Sequence, residues 1–138
     1  MPDWLTLHVV ALVLVAALFG GMLMFAALFT PLIHQKLPAD AAVGFTREVF
    51  PVYYRVMGIL ALVAVLPLVP AQAYWTEISM LVTTAVGFVF ANLVLRPQVN
   101  AARDEKNDGK FRLLHRISVL LNLAQFVLVT IVLIRLAQ

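Results

Sequence analysis

The chain contains no cysteine and few charged residues. Without cysteine it forms no disulfide, and it lacks thiolate ligands for a zinc site or an iron–sulfur cluster. Charged residues make up 12% of its 138 residues and hydrophobic residues 63%, whereas soluble domains usually have about 25% and about 45–50%. A composition this apolar indicates an integral membrane protein.

The sequence also lacks the residue patterns of common soluble enzymes. It offers no Ser–His–Asp set, no glycine-rich phosphate loop and no pair of carboxylates within an apolar run. All seven acidic residues fall at or beyond the ends of the apolar runs, whereas a proton-coupled transporter usually needs an acidic group at mid-membrane. We identify no catalytic residue, and the sequence favours a protein that is not an enzyme without deciding the question.

Four apolar runs are long enough to cross a bilayer, which takes roughly 20 helical residues. They cover approximately residues 4–33, 51–69, 74–95 and 111–137. The first run is longer than the apolar core of a signal peptide, about 7–15 residues, and its start, MPDWLT, is acidic rather than basic. We predict one all-α domain over residues 1–138, an integral membrane four-helix bundle that keeps the first run as a span.

The basic residues predict how the bundle is oriented. Nine of the ten flank two connections, the one between the first and second runs and the one between the third and fourth, while the remaining connection, VPAQAYWTE, has none. Lysine and arginine favour the cytoplasmic side, so we predict two cytoplasmic loops and both termini outside, in the periplasm of a bacterial inner membrane. Trp4, Tyr74 and Trp75 would form an aromatic belt at the outer surface. This distribution serves topology, so no nucleic-acid partner is predicted.

Polar residues within the runs are predicted to form two layers when depth is counted at about 1.5 Å per helical residue. The mid-membrane layer comprises Thr84, Asn122 and Gln125, and an unpaired amide at that depth costs several kcal/mol, so these side chains should face other helices. The fourth run carries Asn122 and Gln125 on one helix face, in a polar stripe that also contains His115 and Ser118. The cluster nearer the cytoplasm comprises Glu48, Arg55, Asn92, Arg96, His115 and Arg116. Each layer has two interpretations: it serves only to hold the helices together, or it forms a functional site.

Small residues in the first run predict close helix packing. Ala16 and Gly20, and likewise Ala17 and Gly21, are four residues apart, which lets two helix backbones approach closely in lipid. We expect this face to pack against another helix, either within the bundle or in a dimer.

Two of the three histidines form a candidate ligand pair. His34 and His115 are predicted at similar depth near the cytoplasmic side, and imidazole binds both metal ions and haem iron. Neighbouring arginines would repel a bare cation but attract haem propionates, so haem fits this pair better than a bare ion. His8 lies near the opposite surface, and we interpret it as an interfacial histidine.

Three segments carry a family resemblance: GGMLMFAALFTPLIHQKLP, VGFTREVFPVYY and LLHRISVLLNL. They resemble the small four-span family that includes transmembrane protein 205, and the likeness covers nearly the whole chain. Its most specific residues are Gly21, Pro31, Phe50, Pro51, Tyr53, Tyr54, His115 and Asn122. A more distant likeness lies in the order of Trp4, His8, Gly20, Pro31 and His34. This order is similar to that in the membrane protoporphyrinogen IX oxidase and copper-resistance protein D group, which implies haem or metal chemistry.

Two kinds of function follow from these observations. In the first, the chain is a non-catalytic accessory subunit in the bilayer, packed against a membrane-protein partner or a second copy of itself. In the second, it binds haem or a metal at the cytoplasmic polar layer through His34 and His115, with redox chemistry there. The sequence favours the first.

Overall fold

A computed structural model describes residues 5–138 of the chain. It contains four long helices: α1 (Leu7–Lys36), α2 (Ala39–Ala71), α3 (Trp75–Asp104) and α4 (Asp108–Ala137). Each is long and apolar enough to cross a membrane. The prediction of an all-helical protein with four candidate spans is therefore confirmed for the described residues. Trp4 of the expected aromatic belt lies outside them.

The helices pack around a ring in chain order. Helix α2 contacts α1 and α3, and α4 contacts α3 and α1, as in an up-down-up-down bundle. The fully buried core fills the half of the bundle that contains the start of α1 and the end of α4, with Leu18, Leu68, Leu81 and Val129 among its members. The other half of the bundle, next to the two basic connections, contains a cleft instead.

The outer surface of the bundle is apolar. Ile59 is 62% exposed, Val86 61% and Leu93 66%, and many other large hydrophobic side chains point outward. Exposure of this extent suits lipid rather than water as the surrounding medium.

Two helices widen into a π-helical turn just before a proline. Helix α1 does so at Phe25–Phe29, ahead of Pro31, and α3 at Ala91–Leu95, ahead of Pro97. Proline has no N–H, and its ring clashes with the carbonyl four residues earlier, so a wider turn accommodates it without breaking the helix. In α1 the Thr30 hydroxyl also donates to the Phe25 carbonyl, at 3.0 Å. Both turns adjoin the cleft.

The connection before α2 is short, because only Leu37 and Pro38 separate it from α1. Helix α2 begins at Ala39 and continues through Pro51, with Pro38 at the N-cap and Asp40 in the first turn. Asp40 there is favoured by the helix dipole rather than by a capping hydrogen bond. The cleft therefore has one continuous helical wall on this side.

Two prolines lie at the far end of α2. The helix tightens into a 3-10 turn over Leu66–Ala71, which contains Pro67 and Pro70, and Gln72 then adopts a left-handed φ of 54°. This turn brings the chain back into α3 at the end of the bundle that holds the start of α1 and the end of α4.

Candidate functional site

A cleft of about 310 Å³ lies in the half of the bundle next to the basic connections. Its volume is at the lower end of the range for small-ligand pockets, roughly 300–1,000 Å³. All four helices contribute. The aromatic lining residues are Phe25, Phe50, Tyr53, Tyr54 and Phe111. The polar and charged ones are Thr30, His34, Thr46, Arg47, Arg96, Asn100, Arg103, His115, Ser118 and Asn122.

The aromatic residues form a packed floor. The rings of Phe25 and Tyr53 stack with centroids 3.9 Å apart and an interplanar angle of 11°. Phe50 meets Phe25 edge-on at 5.3 Å, and Tyr53 meets the buried Phe88 edge-on at 5.9 Å. Edge-on pairs of this kind are favourable arrangements for aromatic rings. The floor therefore offers a fixed apolar surface to a ligand.

The charge of the cleft is positive. Three arginines and two histidines line it, and no carboxylate does so among residues 5–138. Arg47 donates to Asp104 at 2.5 Å, but its Nε atom is buried and has no hydrogen-bond partner in the described part of the chain. Asp104 itself is exposed, at the rim. Buried donors without a partner are uncommon and invite a ligand or water.

The other two arginines have neutral partners. Arg96 donates from Nε to the side-chain oxygen of Asn92 at 3.0 Å, and the Arg103 guanidinium lies 4.5 Å from the centroid of the Phe111 ring. Neither forms a salt bridge within residues 5–138. Their remaining N–H groups suit a phosphate or carboxylate, which arginine binds through parallel hydrogen bonds.

The polar stripe of α4 divides between the cleft and the helix packing. His115, Ser118 and Asn122 line the cleft, where the Asn122 side-chain oxygen accepts from the Tyr53 hydroxyl at 3.3 Å. One turn deeper, the buried Gln125 donates from Nε2 to the main-chain carbonyl of Thr84 at 2.8 Å. The expected mid-membrane residues thus all turn inward, but Asn122 pairs with a tyrosine that the layer did not include.

Close packing of α3 on α4 depends on a glycine that sequence reasoning missed. A Cβ atom placed on Gly87 would lie 2.6 Å from Nε2 of Gln125 and 3.1 Å from its Cδ. Only a residue without a side chain lets the amide of Gln125 reach the carbonyl of Thr84. The available signal was the three-residue spacing of Thr84 and Gly87, which puts both on one helix face.

The structure does not bring the six residues of the expected cytoplasmic cluster together. Arg96 and His115 line the cleft, and Asn92 holds Arg96. Glu48, Arg55 and Arg116 are exposed and do not line it. Arg55 donates to the carbonyl of Pro51 at 3.3 Å and borders a separate apolar groove between α2 and α3. Two arginines outside the expected cluster, Arg47 and Arg103, line the cleft instead.

His34 and His115 line the same cleft, and both are exposed there. The His115 ring stacks on Phe111, with centroids 5.8 Å apart and an interplanar angle of 10°. Within residues 5–138 no group of three or more histidine, aspartate or glutamate side chains is placed to hold a metal ion. The donor set therefore fits a bare metal ion poorly, whereas the arginines fit the carboxylates of a haem.

The small-residue face of α1 is largely uncovered. Ala16 and Ala17 are exposed, and a Cβ atom on Gly20 would meet nothing within 4 Å. Of the two glycines, Gly21 is the one where an added Cβ atom would meet another helix, through the flexible end of Met57. Of the two arrangements expected for this face, packing within the bundle accounts only for Gly21.

An ion pair between the buried Glu77 and the half-exposed Arg135 joins α3 to α4 at the opposite end of the bundle. Glu77 is 4% exposed and accepts from Nε of Arg135 at 2.5 Å, while its second oxygen has no partner within residues 5–138. Glu77 lies in the first turn of α3 and Arg135 in the last turn of α4, where the helix dipoles favour these charges. Nearby, Nδ1 of His8 lies 3.1 Å from the hydroxyl oxygen of Tyr74. This end of the bundle is tied by polar contacts rather than open.

Comparisons with known proteins give one family match. Residues 13–108 match the model of a protein family described as a domain of unknown function (DUF4149). Searches of curated proteins and of solved structures give no match. The matched residues include the cleft walls from α1, α2 and α3 but not the α4 stripe. The resemblances to the transmembrane protein 205 family and to the oxidase group stay predictions.

Proposed function

This chain belongs to the DUF4149 family, and we propose that it is a membrane protein that binds an anionic organic ligand in its cleft. The observation that carries the proposal is the lining of the cleft, where Arg47, Arg96 and Arg103 surround a floor of stacked aromatic rings. Arginine groups favour a phosphate or carboxylate, and the rings favour an apolar body. The ligand class that fits both is an anionic amphiphile.

Equilibrium binding of octyl phosphate to the protein in an uncharged detergent tests the proposal. A ligand that binds only the folded state also raises the unfolding temperature. At a ligand concentration of 100 times its Kd, the added stability is about 2.7 kcal/mol. Octanol, which has the same chain without the phosphate, is the matched ligand. We expect saturable binding of octyl phosphate and none of octanol.

The variant Arg96→Gln tests whether the arginines carry the binding. A hydrogen bond to a charged group is worth about 1.5–3 kcal/mol, so affinity should fall roughly 10- to 150-fold. Arg116→Gln is the matched control, because Arg116 is exposed and does not line the cleft. Equal losses in both variants, or equal binding of octanol, would contradict the proposal.

Haem is a special case of the proposed ligand. The observation that favours it is the position of His34 and His115 in one cleft beside the arginines, since imidazole binds haem iron and arginine binds propionates. A Soret band in the purified protein that is lost in His115→Ala would support haem. A colourless protein that binds octyl phosphate would support the anion site and contradict haem as its ligand.

A second candidate function is that of an accessory subunit. The observation that favours it is the uncovered face of Ala16, Ala17 and Gly20, because small residues let a partner helix approach closely. Light scattering of the detergent-purified protein should then show a dimer or a copurifying membrane protein, and Ala17→Leu should dissociate it. A monomer that Ala17→Leu leaves unchanged would exclude this face as an interface.

We also propose that the cleft faces the cytoplasm of a bacterial inner membrane. The support is that nine of the ten lysine and arginine residues flank the two connections next to the cleft. Because the chain has no cysteine, Gly109→Cys and Ala73→Cys each introduce a single label site, in the basic and the neutral connection respectively. A membrane-impermeant maleimide added to intact cells should label only the second. Labelling of Gly109→Cys alone would mean that the cleft faces the outside and would contradict the proposed orientation.

A further inference from the structure

The cleft has a side opening between α1 and α4. Helix α1 packs on α4 along its first part, Leu7–Met24, where the rings of Phe19 and Phe126 stack at 4.9 Å. Beyond the π-helical turn at Phe25–Phe29 the two helices border the cleft instead of packing closely. A gap between neighbouring spans at this point leads out of the side of the bundle.

The exposure of the lining residues places the opening. Ala26 on α1 and Val119 on α4 both line the cleft and are both exposed. The lining residues Thr46 and Tyr53 of α2, on the far wall, are buried. The cleft is therefore accessible from the α1–α4 side.

The opening reaches the depth of lipid chains. Ala26 lies ten residues before Lys36, about 15 Å along α1, and Val119 lies seven residues after Arg112, about 10 Å along α4. Arg116, only three residues before Val119, is exposed and can extend its long side chain to the membrane surface. The hydrocarbon core of a bilayer is about 30 Å thick. A molecule that leaves the cleft at Ala26 and Val119 thus enters acyl chains, not water.

Two contacts tie the other helices together at the loop end. The Arg47–Asp104 ion pair joins α2 to α3, and the Arg103 guanidinium over Phe111 joins α3 to α4. The same contacts place cationic groups at the level where lipid headgroups lie. The cleft is therefore cationic toward the loops and uncharged toward mid-membrane, where Phe25, Tyr53 and Asn122 line it.

We propose that the ligand is a membrane lipid with a phosphate headgroup, which enters the cleft sideways from the bilayer between α1 and α4. This inference rests on the proposed function of the cleft as an anion site. The phosphate lies at Arg96 and Arg103, and the chain passes between Ala26 and Val119 into the hydrocarbon. The polarity of the cleft then runs in the same direction as that of an upright lipid.

A photoreactive lipid tests both the ligand and its route. The protein is placed in phosphatidylcholine vesicles that contain phosphatidic acid with a diazirine in its acyl chain, and adducts are mapped by peptide mass spectrometry after illumination. We expect adducts in residues 25–34 and 115–122. The same diazirine chain on phosphatidylcholine is the matched lipid, and it should give fewer adducts there.

The absence of native cysteine allows the opening to be closed chemically. In the double variant Ala26→Cys with Val119→Cys, a short bismaleimide bridges α1 and α4. Bridging before the lipid is added should abolish the adducts, whereas bridging after loading should leave them. Each single-cysteine variant, treated with the same reagent, should load normally. Ala26→Trp should also reduce loading, whereas Ala27→Trp, at the next position, which is exposed and does not line the cleft, should not.

The outcomes separate the two proposals. If the bridged protein loads as well as the single variants, the sideways route is wrong although the anion site stands. If octyl phosphate binds through Arg96 but phosphatidic acid gives no adducts in the cleft, the lipid is the wrong ligand class. If neither binds, the proposed function fails and this inference with it.

Discussion

Replacing Gly87 with alanine tests how tightly α3 and α4 meet at mid-membrane. The added Cβ atom would lie 2.6 Å from Nε2 of the buried Gln125, so the amide must turn away and lose its hydrogen bond to the Thr84 carbonyl. A buried amide without a partner costs about 1–3 kcal/mol, and forcing an extra methyl into a packed contact costs a similar amount. Between membrane helices a hydrogen bond averages about 0.6 kcal/mol, which sets the lower limit.

Gly20→Ala is the matched control for this substitution. A Cβ atom there meets nothing within 4 Å, so the variant shows only the higher helix propensity of alanine, about 1 kcal/mol. Measured by reversible unfolding in mixed micelles, Gly87→Ala should be about 0.6–3 kcal/mol less stable than Gly20→Ala. In a Gln125→Ala background the difference should largely disappear. Equal stabilities of the two glycine variants would refute the close contact.

Three further substitutions have defined outcomes. Arg135→Gln should destabilise the protein by about 1–3 kcal/mol in chemical unfolding, less than for a wholly buried pair because Arg135 is half exposed. Adding Glu77→Gln should recover most of this lost stability. Tyr53→Phe removes a hydroxyl that bonds to α4 and should cost about 0.6 kcal/mol in the same assay; a loss of several kcal/mol would mean that its ring packing is also disturbed. Asp104→Asn should tighten octyl phosphate binding because it frees the guanidinium of Arg47, with about 0–1 kcal/mol lost in stability; weaker binding would contradict that role.

Hydropathy alone predicted the four helices. An apolar run of this length has few alternatives, because lipid forces every backbone group to be satisfied within a helix. The inward direction of Gln125 followed from the same constraint, since a deep amide has nowhere else to find a partner. These are the features for which membrane physics leaves one solution.

The composition of the cleft could not be predicted in the same way. Depth along a helix was counted from the sequence, but each residue also turns by about 100° around the axis. Arg47 therefore lines the cleft while its neighbour Glu48 is exposed, although both have the same depth. Long side chains such as Arg55 and Arg116 reach the membrane surface from an outward position, so no cost forces them inward.

Contacts between distant segments were the other gap. The side opening depends on a π-helical turn that changes the direction of α1 residues relative to α4. Hydrophobic periodicity does not predict this turn, and the one sequence signal for it is Pro31. The Glu77–Arg135 pair needs the antiparallel register of α3 and α4, which a single sequence does not provide. Both features became visible only with the bundle assembled.

The most direct test of the account is an NMR titration of the protein labelled with ¹⁵N-arginine, in uncharged detergent, with octyl phosphate. The account predicts that the Nε–H signals of Arg47, Arg96 and Arg103 shift and saturate together, while those of the exposed Arg55 and Arg116 stay in place. Equal shifts at all five arginines, or shifts that octanol reproduces, would contradict an anion site in the cleft.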